Sequence, residues 1–195
     1  MELSTLLEYI AIATALAYVV LAAKEIIWCW LFGGISSLIY VYLTYSANLV
    51  GESLISSFYV VMAIYGLYQW KYGKKAHEDL KIHEWRTPNH LGAILLGFIS
   101  AAAFGRVFSD LFDSAMPHTD AFTTSFSLIA TYMVTRKVLS NWLYWVVIDA
   151  FNIFLYWHRG LEPTAGLYGI YTVLAIVGYL SWRKEWMASR ISSAS

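Results

Sequence analysis

The chain has 195 residues, 59% of them hydrophobic and 17% aromatic but only 13% charged, and its formal net charge is zero. An ordinary soluble domain is about 25% charged, and a neutral chain offers no electrostatic footprint for nucleic acid. The single cysteine, Cys29, excludes an internal disulfide and a cysteine-rich metal site; flanked by Trp28 and Trp30, it reads as a small apolar filler.

Seven apolar stretches follow in chain order, each long enough, or nearly so, to cross about 30 Å of hydrocarbon as helix. The sequence predicts them near 5–23, 26–45, 52–70, 91–109, 121–136, 141–158 and 164–182. The first has Glu2 and Glu8 on its N-terminal side and no basic residue, unlike a cleavable signal peptide. Between the third and fourth lies a polar segment with His77, Glu78, Asp79, His83, Glu84 and His90. These alternate with Lys and Arg and lack the fixed ligand spacing of a zinc site, so the segment reads as a solvated loop. The loop carrying Asp110, Asp113, His118 and Asp120 reads the same way. The fifth stretch is the most polar, because Thr123, Thr124, Ser125 and Ser127 occupy its first half. The apolar runs are continuous and do not alternate, which favours helices over a membrane barrel.

Placing the N-terminus outside puts 11 of the 13 basic residues on the inner side and leaves only Arg106 and Arg159 outside. The positive-inside rule then places the C-terminus in the cytoplasm. Internal repetition accompanies this asymmetry. Ala63, Ile64, Gly66 and Trp70 recur as Ala175, Ile176, Gly178 and Trp182, an offset of 112 that also pairs Tyr59 with Tyr171. Helices 2 and 6 echo one another at offset 114, pairing Trp28 with Trp142 and Tyr42 with Tyr156. Repeats four helices apart cross in the same direction. The expected fold is therefore an all-α integral membrane protein, a single membrane domain over 1–195. It holds a first three-helix repeat at 5–70, a linker helix at 91–109 and a second repeat at 121–182, the parallel 3+1+3 arrangement of SWEET-type carriers.

The sixth stretch concentrates the chemistry. Trp142, Trp145, Asp149, Asn152 and Tyr156 are spaced 3, 4, 3 and 4 apart and share one helical face. A carboxylate in mid-span is costly and usually marks a cavity or pathway; the alternative is an Asp hydrogen-bonded to neighbouring helices. Trp142, near the cytoplasmic end, also fits an interfacial belt. Together the stripe suits a flat, cationic, hydrogen-bonding ligand, because ring faces attract a delocalised cation and the carboxylate supplies the counter-charge. Trp142 is expected to cover the cytoplasmic side of that site.

The run Trp142-x-x-Trp145-x-x-x-Asp149, ending at Tyr156, resembles the signature of the PnuC-type vitamin transporters. Thr135-Arg136-Lys137 and Tyr65-Gly66-x-Tyr68-x-Trp70 are similar to that family too. The resemblance implies a seven-helix SWEET-like fold, often a homotrimer, in the bacterial inner membrane. It implies facilitated diffusion of an unphosphorylated vitamin, trapped by a cytoplasmic kinase, with no cofactor and no metal. Carriers of nicotinamide riboside in this family have Gln at the position of Ser56 and Asn at that of Asp149, while their threonine is retained as Thr172. Ser56, Tyr59 and Thr172 thus join the helix 6 stripe as substrate-binding candidates. The carboxylate leans the expectation to thiamine, whose aminopyrimidine presents donors; nicotinamide riboside is the alternative, since both are cations. A membrane enzyme is the reading from another class. It would need a positioned acid or base with a partner in reach, and the spans show no His, Ser-Lys or Cys-His constellation.

Overall fold

The computed structural model describes residues 3–47, 49–73, 80–111 and 116–192. Its described residues form seven helices: α1 (Leu3–Ala23), α2 (Cys29–Ser46), α3 (Val50–Tyr72), α4 (Thr87–Leu111), α5 (Pro117–Thr135), α6 (Asn141–His158) and α7 (Glu162–Ser192). Three of them, α1, α4 and α7, are long and apolar enough to cross a membrane by length and composition alone. Of the others, α2, α3 and α5 are richer in hydroxyl, Trp and Tyr groups. Large apolar side chains stay exposed along the helices, among them Leu38, Leu54, Val61, Ile64, Leu95, Ile99, Phe154 and Val173. Water would not tolerate so extensive an apolar surface, whereas lipid does.

The fourth and fifth helices begin four residues earlier than expected, at Thr87 and Pro117, and two further boundaries differ for local reasons. The second helix begins at Cys29, not near 26, because Glu25 takes a left-handed conformation (φ 54°) that breaks the helix. The seventh runs to Ser192, ten residues past the expected end at 182. Arg183, Lys184 and Glu185 are too polar for hydrocarbon but are good helix formers, so the helix continues where the apolar pattern stops.

The chain divides into two compact units, Met1–Lys81 and Ile82–Ser195. In the first, α2 packs between α1 and α3. Ser36 on α2 donates to the Ala11 carbonyl of α1 at 2.9 Å. On its other side Trp30 fills a notch over Gly66, where a Cβ would come within 2.5 Å of the indole, and meets Trp70 edge-on at 5.4 Å and 89°. In the second unit, α6 packs between α5 and α7, and α4 packs on α5. Hydroxyls of α5 are met in part by back-bonding, although the buried Ser125 hydroxyl has no partner among the described residues. Thr123 donates to the Thr119 carbonyl at 3.2 Å and Thr131 to that of Ser127 at 2.8 Å, so buried hydroxyls leave few donors unmet.

The second unit repeats the local geometry of the first at an offset of 112. Lys137 is left-handed (φ 53°) as Glu25 is. The bond from the Ile26 amide to the Leu21 carbonyl (2.9 Å) recurs from Val138 to Met133 (3.0 Å), and that from Leu49 to Thr44 (2.8 Å) recurs from Leu161 to Tyr156 (2.9 Å). Trp142 fills a notch over Gly178 and meets Trp182 edge-on at 5.4 Å and 90°. This geometry corrects the offset-114 pairing of helices 2 and 6. The counterpart of Trp142 (3% exposed) is Trp30 (3%), whereas Trp28 points outward and is 62% exposed.

The two segments expected to be solvated loops are largely ordered where described. Ile82 is buried, and His83 forms an isolated parallel bridge with Val138. His118 and Asp120 belong to the first turn of α5, where His118 packs on Gly105 of α4. Lys74, Lys75, His77, Glu78, Asp79 and Asp113 lie outside the described residues.

Candidate functional site

On α6 the inward face is Asn141, Trp142, Ile148, Asp149, Asn152 and Leu155, all buried. Leu143, Val147, Phe154 and Trp157 face away. The spacing of 3 and 4 read from the sequence is thus the face the helix turns to its neighbours. Helix rise of 1.5 Å per residue puts Trp145 roughly 6 Å and Asn152 roughly 4.5 Å along the axis from Asp149.

Asp149 is 3% exposed, and neither it nor buried Asn152 makes a hydrogen bond or ion pair among the described residues. The alternative of a structural Asp bonded to neighbouring helices therefore finds no partner there. An ionised carboxylate stripped of water and given no donor costs several kcal/mol, so the group either holds a proton or meets a donor or cation from outside the protein. Trp145 lies half-buried against the cluster of Phe126, Ala130 and Ile148, and its ring has no aromatic partner among the described residues.

The structure places Trp142 differently from the expected cytoplasmic cover. Its ring fills the Gly178 notch and abuts Trp182, leaving too little surface to cap a ligand. The same knob in the first unit, at Trp30, identifies it as helix packing. The three residues beyond it are not duplicated. At offset 112 from Trp145, Asp149 and Asn152 stand Gly33, Ser37 and Tyr40.

Toward the other end of α6, Tyr156 stacks on Tyr168 of α7 at 5.3 Å and 10°, and Tyr168 meets Tyr171 edge-on at 5.8 Å. The Arg159 guanidinium sits 6.0 Å from the Tyr156 ring and donates to Asp120 at 2.8 Å. Thr172 is half-buried, but its hydroxyl donates to the Tyr168 carbonyl at 2.9 Å, which leaves it only lone pairs for a ligand. Ser56 and Tyr59 lie half-buried on α3 in the first unit, with Tyr59 edge-on to Phe58 at 5.8 Å.

Sequence reasoning missed Tyr168 and the Asp120–Arg159 pair, which joins residues 39 apart. It also missed a polar cluster at the start of α6. There one carboxylate oxygen of Glu84 accepts from the Ser140 hydroxyl (2.6 Å) and the Trp85 amide (2.8 Å) and lies 3.1 Å from Nε2 of His90. Nδ1 of His90 is 3.1 Å from the Tyr144 hydroxyl. Ser, His and Glu meet here without the order of a nucleophile, base and orienting acid, because serine and histidine converge on the same carboxylate oxygen. Among the described residues no three His, Cys, Asp or Glu gather as metal ligands.

Residues 5–184 match a family model described as nicotinamide mononucleotide transporter. The chain is 26% identical to the nicotinamide riboside transporter PnuC of Neisseria mucosa over 190 residues, covering 91% of this chain and 72% of that protein. It is 27% identical to the riboflavin/roseoflavin transporter RibM of Streptomyces davaonensis over 180 residues, covering 89% and 81%. It is 24% identical to the Escherichia coli nicotinamide riboside transporter PnuC over 201 residues, covering 90% and 84%. A crystal structure of the vitamin B3 transporter PnuC superposes with a TM-score of 0.73 at 26% identity, over 92% of this chain and 81% of that one.

Proposed function

The chain belongs to the nicotinamide mononucleotide transporter family, and from that premise we propose that it carries nicotinamide riboside into the cell by facilitated diffusion. Its membership makes it a multi-pass membrane transporter and not an enzyme. The comparisons give the expected thiamine no support and back the alternative, since the relatives named above carry nicotinamide riboside or riboflavin. The carboxylate does not itself select thiamine, because it suits any cationic vitamin and nicotinamide riboside has a fixed pyridinium charge.

The observation that carries the reading is Asp149, buried on the inward face of α6 without a partner among the described residues. In this reading the pyridinium ring stacks on Trp145, Asp149 supplies the counter-charge, and the Asn152 amide pairs with the carboxamide or a ribose hydroxyl. Tyr156 and Thr172, on α6 and α7 of the same unit, extend the site, and Ser56 and Tyr59 on α3 remain substrate-binding candidates of the first unit. Uptake runs down the gradient, and a cytoplasmic kinase keeps it running by phosphorylating what arrives. The two helix triplets act as parallel repeats around α4 in a 3+1+3 carrier, with the N-terminus outside the inner membrane and the protein assembled as a homotrimer. The basic residues on one side support the orientation, and the local geometry shared at offset 112 supports the repetition.

Calorimetric titration of nicotinamide riboside, riboflavin and thiamine tests the reading. Wild type should bind nicotinamide riboside most tightly. Asp149→Asn removes the charge and keeps the size, and loss of one charge-assisted contact should cost about 1.5–3 kcal/mol, roughly 10- to 150-fold in Kd. An unchanged Kd in the variant would remove Asp149 from the site. Failure of reconstituted protein to speed equilibration of the vitamin across liposomes, without an ion gradient, would remove the carrier reading. For orientation, a cysteine at Ser4 should label from outside intact cells and one at Ser189 should not; the reverse pattern would invert the topology.

A further inference from the structure

The apolar run of α7 ends at Trp182, which is fully buried and edge-on to Trp142, yet the helix continues to Ser192. The corresponding helix of the first unit does not. At offset 112 Trp182 matches Trp70, and α3 stops two residues later at Tyr72, with Gly73 as its C-cap. The extension of α7 is therefore no part of the packing common to the two triplets. Within it Arg183, Trp186, Met187, Arg190 and Ile191 follow steps of 3, 1, 3 and 1, the pattern of a single helix face. Lys184 borders that face, whereas Glu185 and Ser189 lie on the opposite side of the helix. Trp186 is half-buried, and the other residues of the face are exposed.

Helical side chains lean toward the N-terminus of their helix, which in α7 means back toward the apolar run. Arg190 does so: its guanidinium lies 5.0 Å from the ring of Trp186, one turn earlier. At 1.5 Å per residue Trp186 sits roughly 6 Å beyond Trp182, and the backbone of Arg190 roughly 12 Å beyond it. Folding back onto the indole brings the Arg190 charge to about the level of Trp186. Each headgroup layer of a bilayer is roughly 5–8 Å deep outside the hydrocarbon. The charges of Arg183 and Arg190 thus fall at headgroup depth on one face, with Trp186 between them. Guanidinium forks match phosphate oxygens in pairs. The face carries three cations and no anion, so it favours an acidic lipid over a zwitterionic one, whose ammonium would meet the guanidinium groups.

We propose that this face of α7 binds the phosphate headgroup of an acidic phospholipid. Arg183 and Arg190 hold the phosphate, Lys184 stands at its edge, Trp186 orders Arg190 for the contact, and Met187 meets the apolar side of the lipid. The assignment rests on the chain being a membrane protein, and neither on the vitamin nor on Asp149.

The test uses full-length protein in detergent, titrated with phosphatidylglycerol or phosphatidylcholine and followed by native mass spectrometry. Wild type should bind phosphatidylglycerol more tightly, and more weakly as salt is raised. Arg183→Gln combined with Arg190→Gln should weaken phosphatidylglycerol roughly 25-fold, at about fivefold per basic residue, and leave phosphatidylcholine unchanged. Trp186→Ala keeps every charge but removes the ring that orders Arg190, and should weaken the acidic lipid by about two- to fivefold. Glu185→Gln, on the opposite side, should not weaken it. Equal binding of the two lipids, or unchanged binding in the double variant, would overturn the proposal. So would displacement of the lipid by inorganic phosphate at the same concentration, which makes a simple anion the occupant. A change of oligomeric state in the double variant would overturn it too, by making the face an interface between copies. If the double variant does not fold, Arg190→Gln alone, in the last turn of α7, decides by its loss of about fivefold.

Discussion

Two tryptophans three residues apart on one face of α6 should respond to mutation in opposite ways. Trp142 is 3% exposed, and a Cβ at Gly178 would lie 2.7 Å from its indole. Behind it Trp182 is fully buried and edge-on, so the ring has no room to withdraw. Gly178→Ala therefore forces an overpacked contact worth about 1–3 kcal/mol, and Trp142→Ala opens a cavity worth about 3–5 kcal/mol. Trp145, half-buried against the Phe126–Ile148 cluster, should cost less stability on truncation than the fully enclosed Trp142. Its loss should weaken vitamin binding by about 1–2 kcal/mol through stacking and cation–π contact, roughly 5- to 30-fold. Thermal unfolding in detergent alongside titration of nicotinamide riboside separates the two effects. Gly66→Ala, whose Cβ would meet Trp30 at 2.5 Å, should behave as Gly178→Ala does. The reasoning fails if Trp142→Ala keeps the wild-type Tm and loses binding, for then its ring touches the ligand and not α7.

Thr172→Val should change the vitamin Kd by less than about threefold, because the hydroxyl proton is already given to the Tyr168 carbonyl; a tenfold loss on titration would show the side chain bonding the ligand. Asp120→Ala and Arg159→Ala should each destabilise by about 1 kcal/mol, since both side chains are roughly a quarter exposed and the pair is screened. The double variant in a thermal-unfolding cycle should be less destabilised than the sum, and strict additivity would mean the pair contributes nothing.

The helices were legible because unbroken apolar runs report burial in lipid directly, and the sixth was legible to the residue. The α6 stripe was legible too, since a 3-and-4 spacing is a local property of the chain. Telling Trp142 from Trp145 was not, because both lie on that stripe and only Gly178, 36 positions away in sequence, distinguishes a packing knob from an open ring. The repeat was visible where apolar identities coincide, as at Gly66 and Gly178, but misaligned by two residues at helix 2. There Trp28 and Trp30 compete as partners of Trp142, and only burial decides between them. The segment at 82–90 misled for the opposite reason. His83, Glu84 and His90 have the composition of a solvated loop, while their partners Val138, Ser140 and Tyr144 lie more than fifty residues on.

Comparing the two triplets separates what the fold needs from what transport needs. The left-handed residue ahead of the middle helix and the tryptophan seated over a glycine occur in both, so they serve a task common to both, the packing of three helices. Trp145, Asp149 and Asn152 occur once, against Gly33, Ser37 and Tyr40. A site made from both triplets equally would have doubled its carboxylate, and two buried charges of like sign near one another would each raise the cost of the other. In the proposed reading a single carboxylate matches one cationic vitamin with one counter-charge. Titration should accordingly give one vitamin bound per chain whatever the oligomeric state. Ser37→Asp, which gives the first triplet its own carboxylate, should not create a second site, because Gly33 leaves it without a ring to stack on. Two equivalents bound per wild-type chain would show that the first triplet recognises the vitamin by residues outside this correspondence.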